Sequence, residues 1–551
     1  MIYPKIPLAQ SIIEICRAKG IEHIVIAPGS RNAPLTIGFV SHPFFTCYSI
    51  ADERCAAFFA MGIAQQIKKP VAVICTSGSA VLNFYPAVAE AFYSQIPLII
   101  ISADRPLNKI DIGDGQTIRQ QNVLDNHTLF NANLSEEAST ENDALINEAI
   151  NVAISQSGPT HINVPFEEPL YETVTSLTAT PLIVEREPLH TAFELNETSL
   201  QLWNTAVKKL ILVGTLEPNS IEDDLLASLA YDPSVVVLTE STSNLHHSNF
   251  LSNIDTIITP FTVEDFKAFQ PELLLTFGGM IVSKRIKSFL RTYQPRQHWH
   301  ADTLRAYDTF GCLTEHFKVH PNTFLKQLLA QSQPKESHYQ KNALQVQAVR
   351  KVKHQAYLAA LPFCDFKVFE QINQAIPEGI QLQVSNSSSI RYMQLFDWSP
   401  SIDSFCNRGT SGIDGSTSTA IGAAVASKKP TVIITGDVSF FYDSNALWNN
   451  YIPSNFKIIV INNGGGGIFR ILPGHQENTI FNTYFETSHC LTAESLAKMY
   501  RFKYRMASTE ATLTNELKAF FNESEQPQIL EIFTPTLEND GWLKNYFKEL
   551  V

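Results

Sequence analysis

Short runs of β-branched and other apolar residues alternate with longer amphipathic stretches across the first third of the chain. Residues 23–27, 46–50, 71–75 and 97–102 each have the length and composition of a strand, and the segments between them carry helical spacing. That alternation predicts a parallel sheet covered by helices on both faces. The same rhythm returns near the C-terminus, where 381–384, 431–435, 456–461 and 528–533 are the expected strands. Between these regions, 209–214, 235–238 and 272–277 suggest a third unit of the same kind. It is entered through the polar, proline-containing stretch 173–194 and left through 331–339.

A chain of 551 residues is too long for one hydrophobic core. The expected architecture is therefore α/β, with three domains of parallel sheets flanked by helices, over 1–175, 190–335 and 345–551. No short-period repeat, low-complexity tract or heptad seam interrupts it, and the two outer domains resemble each other in architecture. In open parallel sheets ligands bind beyond the C-terminal strand ends, so the loops there carry the chemistry.

Composition narrows the function classes. Hydrophobic residues make up 44% and charged residues 17%, an ordinary globular balance without disordered or fibrous bias. A formal net charge of −13 repels nucleic acid and anionic lipid, so an anionic ligand needs a local basic pocket. The eight cysteines show no CxxC pairing and no zinc-like spacing, which points to reduced thiols. Residues 1–10 lack a basic stretch followed by a long apolar region, and apolar runs such as 96–103 are too short to cross a bilayer. Cytoplasmic residence without membrane insertion is the expectation.

Two motifs stand at strand ends. Gly436-Asp437-Val438-Ser439 directly follows the strand 431–435, and Asn462-Asn463 directly follows 456–461. An Asp and an Asn at adjacent strand ends can share one hard cation; magnesium prefers oxygen ligands and commonly bridges carboxylates to phosphates. Glycine allows close backbone approach to a diphosphate. The run Gly464 to Gly467 is not a nucleotide phosphate loop, because no Gly-Lys-Ser/Thr follows it. In the first domain, Glu53 lies in Ala51-Asp52-Glu53-Arg54, after the strand 46–50 and ahead of a helical stretch over 55–65. A helix N-terminus favours a carboxylate there on electrostatic grounds alone.

The Gly-Asp turn followed by Asn-Asn resembles the thiamine-diphosphate motif, although Val438 stands where a second glycine is usual. The flanking segments identify the branch: Ala27-Pro28-Gly29-Ser30-Arg31-Asn32-Ala33-Pro34-Leu35, Thr76-Ser77-Gly78-Ser79-Ala80, Ser102-Ala103-Asp104-Arg105-Pro106 and Asn407-Arg408-Gly409-Thr410-Ser411-Gly412-Ile413-Asp414-Gly415. Together they closely resemble the MenD family, the 2-succinyl-5-enolpyruvyl-6-hydroxy-3-cyclohexene-1-carboxylate (SEPHCHC) synthases of menaquinone biosynthesis. The resemblance runs through almost the whole chain, strongest over 20–125 and 380–475 and weakest in the middle.

It implies pyrimidine-binding, central and diphosphate-binding domains, thiamine diphosphate as cofactor, and Mg2+, or alternatively Mn2+, as the metal. Asp437, Asn463 and the carbonyl of Gly465 are then the metal ligands, with Gly436, Val438 and Ser439 beside the diphosphate. Ile413 supports the bend of the cofactor, unless it is an ordinary core residue. Ile468, Phe469 and Leu472 form an apolar wall against the reacting carbons. Glu53 is the catalytic residue that hydrogen-bonds N1′ of the aminopyrimidine. The two motifs lie on different domains, and in this family the cofactor usually spans two subunits, so the resemblance implies a homodimer or a dimer of dimers.

The implied reaction removes carbon dioxide from 2-oxoglutarate and adds the remaining four-carbon unit to isochorismate. Both substrates are dianions, and arginine's planar fork suits carboxylates. Arg31, Arg105, Arg391 and Arg408, with Lys284 and Arg285 from the central domain, are the candidate basic groups. Ser30 and Gln116 are placed to orient the acceptor, although Gly115 replaces an Asn found in some relatives. Ser387 with Arg391 could hold the donor's distal carboxylate, or Ser387 could simply cap a helix. The N-terminal segment has no adjacent His pair of the kind common in simple 2-oxoacid decarboxylases. Three other readings stay open: another thiamine-dependent synthase or decarboxylase, with a flavin in the central domain; a non-catalytic relative; and a nucleotide-binding sensor drawn from the α/β pattern alone.

Overall fold

The apolar runs of the first third pair side by side. In the computed structural model, which describes residues 1–185, 193–471, 474 and 476–551, six parallel strands form the first sheet. In spatial order they are Thr46–Ser49, His23–Ile26, Val71–Cys75, Leu98–Asp104, Pro159–Pro165 and Asn131–Asn133. The central strands are buried on both faces, as in Val71–Cys75, which is why they read as continuous apolar runs rather than alternating ones.

The C-terminal sheet repeats this plan. Its order is Asp403–Phe405, Gln381–Val384, Thr431–Gly436, Lys457–Asn462, Gln528–Phe533 and Lys503–Ala507, again all parallel. Numbered in chain order within each sheet, both run second, first, third, fourth, sixth, fifth. The strand order reverses between the first and third strands, and the crevice beyond their C-terminal ends is the natural ligand site. A five-stranded parallel sheet lies between them in sequence, ordered Val235–Leu238, Lys209–Val213, Leu273–Phe277, Gln297–Ala301 and Glu315–Phe317.

Several strands escape a reading of apolar runs. Pro159–Pro165 begins and ends in proline and carries polar residues, Gln297–Ala301 contains two histidines, and Asn131–Asn133 and Asp403–Phe405 are three-residue edges. The stretch expected to lead into the central unit contributes Thr173–Val174, paired antiparallel with Tyr3–Pro4. Part of that stretch, 186–192, lies outside the described residues.

The outer domains are fastened by two crossing helices. Glu53–Ile67 starts where Asp52 accepts a hydrogen bond from the Cys55 N–H at 3.2 Å, and it stops at Lys68, whose φ is 55°. It lies against Ser416–Ser427 through a glycine on each helix. A Cβ on Gly62 would sit 2.1 Å from the Thr419 carbonyl oxygen, and one on Gly422 would sit 2.1 Å from that of Phe59. Phe58, Phe59 and Ile63 of one domain share a continuous apolar cluster with Ala420, Ile421, Ile433 and Phe440 of the other. Among the described residues no helix is long and apolar enough to cross a membrane.

Candidate cofactor and substrate site

The strand Thr431–Gly436 delivers Asp437 to the first position of a short helix at the sheet's reversal point. The side chain is almost fully buried. Its Oδ1 accepts from the Val438 N–H at 2.7 Å, and its Oδ2 accepts from the N–H groups of Gly464 and Gly465 at 2.9 and 3.0 Å. Those bonds tie the end of one strand to the loop after the next, Lys457–Asn462. Asn463 begins that loop and donates its Nδ2 to Asp365 at 3.0 Å. Gly464 takes a φ of 78°, which glycine tolerates and most residues do not. The Gly465 carbonyl accepts the Gly467 N–H at 3.0 Å and keeps a second lone pair. His489 stands 3.4 Å from Asp437 Oδ2, at the same corner.

A cavity of about 350 Å3 opens beside this corner. Its lining is mixed: Asp437, Asn463, Gly436, Ser387 and Ser439 are polar or open backbone, and Ile413, Ile468, Phe469, Tyr484 and Phe485 are apolar or aromatic. Ser439 donates to the Ile413 carbonyl at 2.7 Å, so Ile413 is pinned to the glycine-aspartate turn. Nothing lies closer than 4.0 Å to where a Cβ on Gly436 would project, leaving room for a group against the backbone. Oxygen ligands beside the open backbone at Gly436 could hold a cation that bridges to a diphosphate, and the aromatic and aliphatic side chains of the same cavity suit flat rings. Leu472 lies outside the described residues.

The loop that follows Gly467 is braced from below. Arg470 and Glu486, both buried, form a two-bonded ion pair, with Nη2 to Oε2 at 2.6 Å. This pair, like Tyr484, Phe485 and Asp365, had no signal in the sequence, because the segments that carry them are irregular or distant. Burial pushes Asp365 up to about 6, against the hydrogen bonds from Thr534 and Asn463 and with the Asp437 charge adding to the rise.

Ser387 sits in a conformation, φ 70° and ψ −126°, that L-residues rarely adopt. It makes no side-chain cap to the following helix; instead its carbonyl accepts from Arg391 Nη1 at 2.6 Å. Arg408 Nη1 donates to Asn386 Oδ1 at 2.6 Å, and Glu90 receives the N–H groups of Gly409 and Thr410 at 2.6 and 2.7 Å. The first domain thus braces the Arg408 loop of the third. Burial, with Arg408 nearby, lowers the Arg391 pKa from its ordinary value.

Lys284 and Arg285 open a helix of the central domain, Lys284–Thr292. Its entry is held by Glu240, whose two oxygens accept from the N–H groups of Val282 and Ser283 at 2.7 Å each, and by Asp255, which accepts from Ser283 Oγ. Asp255 lies within electrostatic reach of both Arg285 and Arg391, and Lys287, unforeseen in the sequence, within reach of Arg408 and Lys284. Basic groups of the central and C-terminal domains therefore lie near one another, in company with the carboxylate of Asp255.

Arg31, Arg105, Ser30 and Gln116 gather elsewhere, at the equivalent reversal point of the N-terminal sheet. Arg31 is buried; it donates to the Phe166 carbonyl at 2.9 Å and to Glu168 at 3.1 Å, and Arg105 lies 3.9 Å from the same Glu168. The Arg31 N–H donates to Thr76 Oγ1 at 3.2 Å, and a Cβ on Gly78 would be 3.4 Å from the Gln116 backbone. The buried Nε of Arg31, Arg105 and Arg408 lacks a hydrogen-bond partner among the described residues. Glu53 is half-buried at the start of its helix and does not line the cavity of its own chain.

Comparison with known proteins agrees with this geometry. Three family models match in order: thiamine pyrophosphate enzyme, N-terminal TPP binding domain, over residues 6–129; middle domain of thiamine pyrophosphate, over 179–384; and thiamine pyrophosphate enzyme, C-terminal TPP binding domain, over 387–532. A SEPHCHC synthase of Flavobacterium psychrophilum is 65% identical over 550 residues, covering 100% of both chains. The chain belongs to the SEPHCHC synthase family. More distant members include those of Christiangramia forsetii, 52% identical with 99% of each chain covered, and Porphyromonas gingivalis, 36% identical with 97% of this chain and 96% of the other. As a SEPHCHC synthase, the protein is a thiamine-diphosphate-dependent transferase of menaquinone biosynthesis acting on small molecules.

Proposed function

We propose that the protein decarboxylates 2-oxoglutarate and transfers the remaining four-carbon unit to isochorismate, with Mg2+ or Mn2+ held by Asp437, Asn463 and the Gly465 carbonyl. The observation that carries this reading is the cavity at the sheet's reversal point, which Asp437 and Asn463 line together with apolar and aromatic side chains. When bound, thiamine diphosphate supplies the electron sink that lets a 2-oxoacid lose carbon dioxide. Ile413 supports the rings, Gly436, Val438 and Ser439 flank the diphosphate, and Ile468 and Phe469 keep water from the reacting carbons. Glu53 holds a proton between its carboxylate and N1′ of the aminopyrimidine. Ser387, Arg391 and Arg408, with Lys284 and Arg285, bind carboxylates on one side; Ser30, Arg31, Arg105 and Gln116 bind them on the other.

The active unit is a homodimer or a dimer of dimers. Supporting this, the described residues that line the cavity fall within 365–487, whereas Glu53 opens a helix of the N-terminal domain. The division 1–175, 190–335 and 345–551 into pyrimidine, central and diphosphate domains follows the three sheets. The test supplies thiamine diphosphate, Mg2+, 2-oxoglutarate and isochorismate together. Carbon dioxide release matched by loss of isochorismate and a product of SEPHCHC mass is expected. Release without acceptor loss would leave a decarboxylase, or a transferase with another acceptor.

A further inference from the structure

A terminal amide has two faces, and only its oxygen can meet a cation. Asn463 donates its Nδ2 to Asp365 Oδ2 at 3.0 Å, so its Oδ1 is left turned away from that carboxylate, and both residues border the cavity. Asp365 is itself buried at the first position of the helix Asp365–Ala375. It is fixed from three directions: Oδ1 accepts from Thr534 Oγ1 at 2.5 Å, Oδ2 accepts from Asn463, and its N–H donates to Asn539 Oδ1 at 2.8 Å. Its partners are a hydroxyl and two amides rather than a basic side chain. A carboxylate buried on such terms is costly, and a divalent cation on the far side of Asn463 would offset that cost. An ionised carboxylate is an acceptor only, so it dictates which way the amide faces.

We propose that Asp365 is a positioning residue for the cation site, locking the Asn463 amide with Oδ1 toward the metal. This rests on the reading that Asp437 and Asn463 hold the cation. Partners that orient metal ligands in this way change metal affinity by roughly 10- to 100-fold when removed.

The experiment titrates Mg2+ into the full-length protein with thiamine diphosphate present and reads binding by calorimetry. Asp365→Ala is expected to weaken Mg2+ binding by about 10- to 100-fold. Asp365→Asn, whose carbonyl can still accept from Asn463 while its amine turns to Thr534, should stay within a few-fold of wild type. In an Asn463→Ala background, Asp365→Ala should add almost nothing, because the two act as a unit. Should the alanine variant fail to fold, Asp365→Ser replaces it, being polar yet too short to reach Asn463. Unchanged affinity in Asp365→Ala, or a full additive loss in the Asn463→Ala background, overturns the proposal while leaving the cation site intact. Unchanged affinity in Asp437→Ala would instead remove the cation site, and the proposal with it.

Discussion

Glu53 opens its helix half-buried, at the end of a strand and at the positive end of the helix dipole. Glu53→Gln keeps shape and hydrogen-bonding reach but cannot take up a proton, so turnover should fall by about 10²- to 10⁴-fold while thiamine diphosphate still binds. Stopped turnover and calorimetric cofactor binding, measured together, check this. His161 is fully buried in the N-terminal sheet with its Nε2 2.7 Å from Ser102 Oγ, and burial lowers it from 6.5 to about 3. The unfolded chain therefore binds a proton there that the folded chain refuses. The stability this neutral ring contributes is complete above 6.5 and is lost as pH falls from 6.5 toward 3. Relative to His161→Gln, wild type should lose up to about 1.4 kcal/mol of unfolding free energy per pH unit in that window, seen in urea midpoints above and below it. Asp437 and Asn463 were legible in sequence because each directly follows a strongly apolar strand. Asp365 was not, because it precedes its partner by nearly a hundred positions and nothing local marks it.

At the scale of elements, the strands found in sequence were mostly those buried on both faces, such as Val71–Cys75 and Leu273–Phe277, with the exposed edge Thr46–Ser49 the exception. Those missed lie at sheet edges, as Lys503–Ala507 does, or carry histidine or proline, and there sheet pairing overrides local composition. Lys284 and Arg285 were expected beside Arg391 and Arg408, but what holds their helix was hidden, since the buried Glu240 and the partly buried Asp255 read in sequence as ordinary surface acids. The crossing of Glu53–Ile67 with Ser416–Ser427 depends on Gly62 and Gly422, each facing a carbonyl oxygen where a methyl group would collide. Gly422→Ala must push the helices apart, and a loss of about 1–3 kcal/mol is expected from such overpacking. Chemical denaturation followed through both outer domains measures it, and a wild-type midpoint would show that the helices slide freely.

For the whole molecule, the cavity lies in one third of the chain and Glu53 in another, and in the proposed dimer one cofactor would join two copies. Mixing Glu53→Gln with Asp437→Ala subunits should then restore activity that neither has alone. With random pairing into two-fold dimers, half are hybrids and each hybrid has one intact site, giving about a quarter of wild-type activity. Recovery no greater than the sum of the separate variants would place both residues in one chain's site. The net charge of −13 sets the background against which the basic groups at both reversal points must work. The glycine crossing also limits how this enzyme can be recombined. Two helices that touch backbone to backbone have no side chains to adjust when one is replaced. A chimaera joining the N-terminal third of one family member to the C-terminal third of another must take both helices from the same parent, whatever boundary is chosen for the rest.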